Sequence, residues 1–180
     1  LHPQMKNLIH YSIALASLVV TSVSNAAPAN DNFANATVLN SYYDQREGST
    51  VGATKQAGES NQNNSTIWYK ITTPNHPATL SYSLKVYGTF NYNGHTIRVY
   101  QASGSGGITE LVEVAANSVY NGEIETESVA VSGNTAYYLR IGTNNGEERP
   151  VQVTIDVTPK DSWNPYYQSA YDYYVYFSSY

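Results

Sequence analysis

Thr79-Leu80-Ser81-Tyr82-Ser83-Leu84-Lys85-Val86 alternates apolar and polar side chains with a period of two. Successive side chains of an extended strand point to opposite faces, so one face of this segment is buried and the other is wet. Val151-Gln152-Val153-Thr154-Ile155-Asp156-Val157 repeats the pattern near the end of the chain. Between and before these two lie other short runs rich in Thr, Val, Ile and Tyr, the residues that fit a pleated, half-buried surface. Thr66-Ile67-Trp68-Tyr69-Lys70-Ile71 is stopped by Thr73-Pro74, and Thr96 to Tyr100, Leu111 to Ala115, Ser128 to Val131 and Ala136 to Gly142 follow. Turn signals separate them: Asn93-Gly94, Ser103 to Gly107, Asn121-Gly122, Ser132-Gly133-Asn134 and Asn144-Asn145-Gly146. Thr37-Val38-Leu39 reads as a first short strand and Phe90-Asn91-Tyr92 as a hairpin arm. Asp44 to Ser49 reads as a loop, and Gly52 to Asn64 as a long connection. Short strands with a turn about every ten residues, and no interleaved helices, predict an all-β, antiparallel, jelly-roll-like β-sandwich.

Composition narrows the class. The chain has 180 residues, 18 of them tyrosine and none cysteine, with a net charge of −5. The absence of cysteine excludes disulfides, thiolate metal sites and cysteine nucleophiles. The mild acidity argues against a nucleic-acid partner, which needs clustered Lys and Arg. The N-terminus has the layout of a secretory leader. Lys6 follows Met5, Ile9 to Val20 is mostly apolar but short for a bilayer span, and Ser24-Asn25-Ala26 offers small residues for cleavage. The expected organisation is a signal peptide over 1–27 (with residues 1–4 upstream of Met5), a sandwich over 28–159 and a tyrosine-rich tail over 160–180. The mature chain then starts near Ala27 or Pro28 and ends up in the periplasm, at the cell surface or in the medium. No later segment is apolar enough to span a membrane.

Six stretches run in the order found in one known family: Asn30 to Ala36, Val51 to Glu59, Ile67 to Pro74, Ile97 to Tyr100, Leu111 to Asn117 and Thr135 to Ile141. On these the chain resembles the bacterial pre-peptidase C-terminal domain family, which is related to collagen-binding domains of collagenases. The resemblance implies a secreted β-sandwich module, often appended to an exported protease, and a calcium site near the N-terminal segment.

No catalytic motif stands out. The chain lacks Gly-x-Ser-x-Gly, His-Glu-x-x-His and the P-loop pattern. Outside the leader the histidines are His76, beside a turn proline, and His95, after Asn93-Gly94; both read as exposed turn residues. Ser103 to Gly107 lacks the Lys and helix of a phosphate loop and reads as a flexible hairpin loop. Glu123, Glu125 and Glu127 alternate, which places them on one face of a strand as a solvated edge. Asp44 with Glu47, and Glu147 with Glu148, read as loop charges. Calcium, which takes six to eight oxygen ligands, is the one cofactor with candidate residues: Asn30, Asp31, Asn32 and Glu59. The alternative is that Asn30 to Asn32 cap a turn. Trp68 is expected to pack between sheets. Tyr82, Tyr92 and Tyr100 are candidates for a ligand-binding sheet face, because a tyrosine pairs an apolar ring with a polar tip. Tyr171, Tyr173, Tyr174 and Tyr176 in the tail are candidates for a partner contact, including self-association by strand addition. The expected function is a non-catalytic module for extracellular binding or adhesion to a protein or polysaccharide. A structural subunit assembling through its tail and an accessory fragment of a larger exported peptidase are the alternatives.

Overall fold

The computed structural model of the chain describes residues 25–59, 64–88, 94–104, 106–119, 122, 126–143 and 147–160. Residues 1–24 of the expected leader, the hairpin arm Phe90 to Tyr92, Glu123, Glu125, the turn Asn144 to Gly146 and residues 161–180 of the tail lie outside these residues. The described strands are β1 (Thr37–Val38), β2 (Tyr43–Ser49), β3 (Thr66–Thr72), β4 (Ala78–Val86), β5 (His95–Ala102), β6 (Leu111–Val119), β7 (Thr126–Val131), β8 (Ala136–Thr143) and β9 (Pro150–Pro159). Among the described residues, helical structure is confined to two 3-10 turns, Phe33–Asn35 and Ile108–Glu110. No helix among them is long and apolar enough to cross a membrane.

The strands form two sheets. Sheet A has the order β1-β3-β8-β5-β6, and sheet B the order β2-β9-β4-β7. All pairings are antiparallel except β1 with β3. From β2 to β9 the chain alternates between sheets, except that β5 and β6 follow one another in sheet A, so that each four-strand set interleaves early and late strands. That is the strand order of a jelly roll, with β1 added at one edge. The core lies between the sheets. Ile67, Tyr69, Ile71, Ile97, Val99, Leu139 and Ile141 of sheet A meet Leu80, Tyr82, Leu84, Val153, Ile155 and Val157 of sheet B. These are the same-parity residues of the alternating runs, so periodicity alone aims them inward.

Two segments depart from the expectation. Tyr43–Ser49 is a strand, paired along its length with β9 from Tyr43–Asp156 to Ser49–Pro150, and not a loop. It has no apolar alternation because neighbours fill its space. A Cβ at Gly48 would stand 2.2 Å from the Tyr69 hydroxyl and 3.2 Å from Ile67 Cδ1. The tyrosine thus crosses from sheet A into room that only a glycine in sheet B leaves free. Gly48→Ala is expected to lower stability by about 1–3 kcal/mol through overpacking. Tyr69→Phe in the same chain should recover part of that loss; melting curves of the single and double variants measure it, and a neutral Gly48→Ala would show that the two sheets yield at this point.

The second departure is Trp68. It does not lie between the sheets. Its neighbours in β3, Ile67 and Tyr69, point into the core, so strand parity turns the indole to the outer face of sheet A.

Candidate functional site

The two outer faces of the sandwich are finished differently. On sheet A, register places Trp68, Arg140, Arg98 and Ala116 in one row across β3, β8, β5 and β6, and Lys70, Tyr138, Tyr100 and Glu113 in the next. This face is covered by its own chain. Phe33, in the first 3-10 turn, packs edge-on against Trp68 at 5.2 Å between centroids and lies tilted against Tyr138 at 4.5 Å. Ile108 and Leu111 close the other side. Arg140 is 1% exposed, with its guanidinium 5.8 Å from the Trp68 ring and 5.5 Å from the Tyr100 ring. Burial lowers its pKa, opposed by the Tyr100 and Glu59 oxygens. Arg98 pairs with Glu113 at 2.7 Å, and Lys70 sits 5.5 Å over Tyr138. The layer is a second, cation-threaded aromatic core.

A closed circuit of hydrogen bonds fastens the cover. The Asn30 side chain donates to the Trp68 carbonyl at 3.0 Å, and Trp68 N–H donates to the Asn30 carbonyl at 2.9 Å. The Trp68 indole N–H donates to Glu59 Oε1 at 2.8 Å, and the Thr66 hydroxyl lies 2.8 Å from both Glu59 oxygens. Thr66 N–H donates to the Thr54 carbonyl, and the Thr54 hydroxyl donates to Asp31 Oδ2 at 2.8 Å. Asp31 Oδ1 accepts Thr54 N–H, and the chain returns to Asn30. The fold thus does bring Asn30, Asp31 and Glu59 into one neighbourhood. Asn32 stands just outside it as the cap of the 3-10 turn, with Oδ1 accepting Ala34 N–H. As folded, the four do not fit a calcium shell. Both oxygens of Asp31 and both of Glu59 already face protein donors, Asn30 meets Trp68 with its NH₂, and no three acidic or histidine side chains converge among the described residues. The turn-capping alternative describes Asn32.

The histidines occupy contrasting places. His95 opens β5 and is 0% exposed, not an exposed turn residue. Its Nε2 lies 3.5 Å from the Thr50 hydroxyl, which itself donates to the Arg149 carbonyl. With Thr50 also fully buried, this pair has no open face toward a substrate. His76 sits in its turn, Nδ1 3.0 Å from the Asn75 side-chain oxygen. Glu148 is more than a loop charge: it accepts Gly52 N–H at 2.7 Å and the Ser65 hydroxyl at 2.9 Å, joining three connections.

Sheet B presents a polar outer face. Strand parity sends Gln152, Thr154, Asp156 and Thr158 of β9 outward, opposite the core-facing Val151, Val153, Ile155 and Val157. Register then builds rows of polar side chains: Tyr43, Asp156, Ser81 and Ser128; Gln45, Thr154, Ser83 and Thr126; Glu47, Gln152 and Lys85. At the last row Glu47 Oε1 accepts the Tyr87 hydroxyl at 3.2 Å and the Gln152 amide at 2.5 Å, while Lys85 lies 5.1 Å over the Tyr87 ring. At the β2 edge Tyr42 and Tyr43 are 51% and 52% exposed. Of the tyrosines expected on a binding face, Tyr82 is corrected. It shares parity with Leu80 and Leu84, is 3% exposed and fills the main core. Tyr100 is 7% exposed, within the covered layer on sheet A. Tyr92, Tyr171, Tyr173, Tyr174 and Tyr176 lie outside the described residues. Tyr43 and Asp156 were missed, although the Val151–Val157 alternation already placed Asp156 on the wet face.

No family model matches the chain, and no curated protein matches it in sequence. Among solved structures, it is similar to the pre-peptidase C-terminal domain of collagenase from Bacillus anthracis, at 13% identity and a TM-score of 0.46 over 67% of this chain and 94% of that one. The K3 cleaved adhesin domain of Lys-gingipain from Porphyromonas gingivalis W83 is similar at 11% identity and a TM-score of 0.42, covering 63% and 72%. A family 6 carbohydrate-binding module is similar at 13% identity and a TM-score of 0.37, covering 69% and 98%. These likenesses are too distant to carry an assignment; the fold rests on the strand order itself. Among the described residues, the geometry offers one sheet face sealed by the chain and one polar, hydroxyl-bearing face edged by half-exposed tyrosine.

Proposed function

We propose that this chain is an exported, non-catalytic binding module of the pre-peptidase C-terminal kind, with a leader over 1–27, a sandwich over 28–159 and a tail over 160–180. It holds an extracellular polymer on the outer face of sheet B. The observation that carries this reading is the pair Tyr42 and Tyr43, half-exposed at the rim of a polar sheet face, while the aromatics of sheet A are enclosed. Exposed large apolar side chains gathered in one place mark contact surfaces. The six collinear stretches support the family, and the apolar run after Lys6 supports export.

Co-sedimentation of the full-length protein with insoluble collagen, cellulose and chitin tests the reading. Retention on at least one polymer without its breakdown is expected, and the double change Tyr42→Ala with Tyr43→Ala should reduce retention roughly ten-fold, as loss of aromatic anchors does. Retention on none of the three, or release of soluble fragments from the polymer, counts against it.

A further inference from the structure

We infer that the outer face of sheet B takes a neutral, hydroxyl-rich polysaccharide, with Tyr43 as the ring on which a sugar packs and Asp156 as the carboxylate that accepts its hydroxyl protons. The inference rests on the binding-module reading and narrows it to one ligand class.

The geometry starts from register. Tyr43 and Asp156 are direct cross-strand partners, and Asp156 is in turn opposite Ser81. Directly opposed residues share a face and stand about 5 Å apart at Cβ. An exposed aromatic ring thus stands next to a carboxylate at the start of a hydroxyl row. A tyrosine ring offers an apolar surface with a polar tip, which suits the C–H face of a sugar. A carboxylate accepts from up to four directions and has nothing to donate, which suits adjacent hydroxyls.

Asp156 is the charge that the fold leaves unmatched. Among the described residues its carboxylate has no hydrogen bond or ion pair, and burial raises its pKa. The other charges of the face are matched in place: Glu47 by Tyr87 and Gln152, Lys85 by the Tyr87 ring. The remaining positions are hydroxyls and amides: Ser81, Thr154 and Gln45 among them. Among the described residues the open charges here are Asp156 and, just past the end of β9, the exposed Lys160, one of each sign, so neither a polycation nor a polyanion finds a charged row. A neutral polymer of hydroxyls matches the face donor for acceptor.

Affinity electrophoresis of the full-length protein in native gels containing hydroxyethyl cellulose, laminarin or galactomannan tests this, with collagen-coated and poly-L-lysine-coated surfaces as counter-arms. At least one neutral glycan should retard the protein. Tyr43→Ala and the near-isosteric Asp156→Asn should each weaken retardation roughly ten-fold, while Val112→Ser on sheet A leaves it unchanged. Unaltered melting temperatures show that the variants fold. Retardation unaffected by either substitution overturns the inference. Binding to poly-L-lysine alone overturns it in favour of a cationic partner. Binding to collagen alone overturns it while leaving the binding-module reading intact, and binding to none of the probes removes both.

Discussion

Trp68→Ala should cost about 3–5 kcal/mol, in the range of a large aromatic removed from a packed core, even though the residue lies outside the space between the sheets. The indole is 1% exposed and is the hub of the covered layer. It touches the Phe33 and Tyr100 rings and supports the Arg140 guanidinium. Its removal opens a cavity and also takes a proton donor from the buried Glu59 carboxylate. Leaving a buried charged acceptor short of a donor adds about 1–3 kcal/mol to the loss. Trp68→Phe separates the two effects, since it keeps most of the ring and deletes only the N–H. Urea midpoints give the stabilities, and hydrogen exchange over 30–38 should rise most in Trp68→Ala, because Phe33 loses the surface it docks on. A Trp68→Ala protein within about 1 kcal/mol of the parent would mean that the layer on sheet A is dispensable.

Acidification should destabilise the fold through one residue. Burial in the first place, and the positive charge of Arg149 in the second, push the His95 imidazole down from 6.5 to about 4. Between those two values the unfolded chain holds a proton that the folded chain refuses. Stability is therefore complete above pH 6.5, falls as pH drops toward 4, and loses nothing further from this group below that. The span corresponds to about 3 kcal/mol. Asp156 works in the opposite direction, since burial raises its pKa and protonation suits the folded state. The comparison that isolates His95 is the parent against His95→Gln, by urea unfolding at pH 7.5, 6, 5 and 4. The stability difference between the two should shrink or reverse as pH falls; parallel curves would show that the imidazole charges freely in the native state.

The contrast between these residues and the strands shows what was legible in the sequence. Strands β3 to β9 follow from alternation and turn residues, because each buries one face and little else decides its geometry. β2 was illegible for a local reason. Its Gly48 lies under the Tyr69 hydroxyl, so the apolar content of that position is written in another strand. Trp68 sits in a run, Thr66 to Ile71, with large residues of both parities, and nothing in that run says that Phe33 will arrive to cover the second face. Tyr82 was legible and was misread: Leu80, Leu84 and Val86 share its parity. His95 follows a turn signal, yet it is already the first residue of a strand whose neighbours Thr50 and Arg149 come from two distant connections. In the candidate site Asn30, Asp31 and Glu59 do come together, and their polar atoms serve the backbone, the Thr54 and Thr66 hydroxyls and the indole. Side-chain duty of that kind depends on which donors the fold delivers, which spacing along the chain does not encode.

The pairing of β2 with β9 and of β3 with β8 has a kinetic consequence. Tyr43 waits for Asp156, and Thr66 waits for Gly142, before either finds its ladder partner. Among the described strands nearly every pairing joins ends of a long loop, and only β5 with β6 joins sequence neighbours. Such high contact order makes for slow assembly. Each sheet therefore closes only when a late strand arrives: β8 joins β3 to β5 in sheet A, and β9 joins β2 to β4 in sheet B.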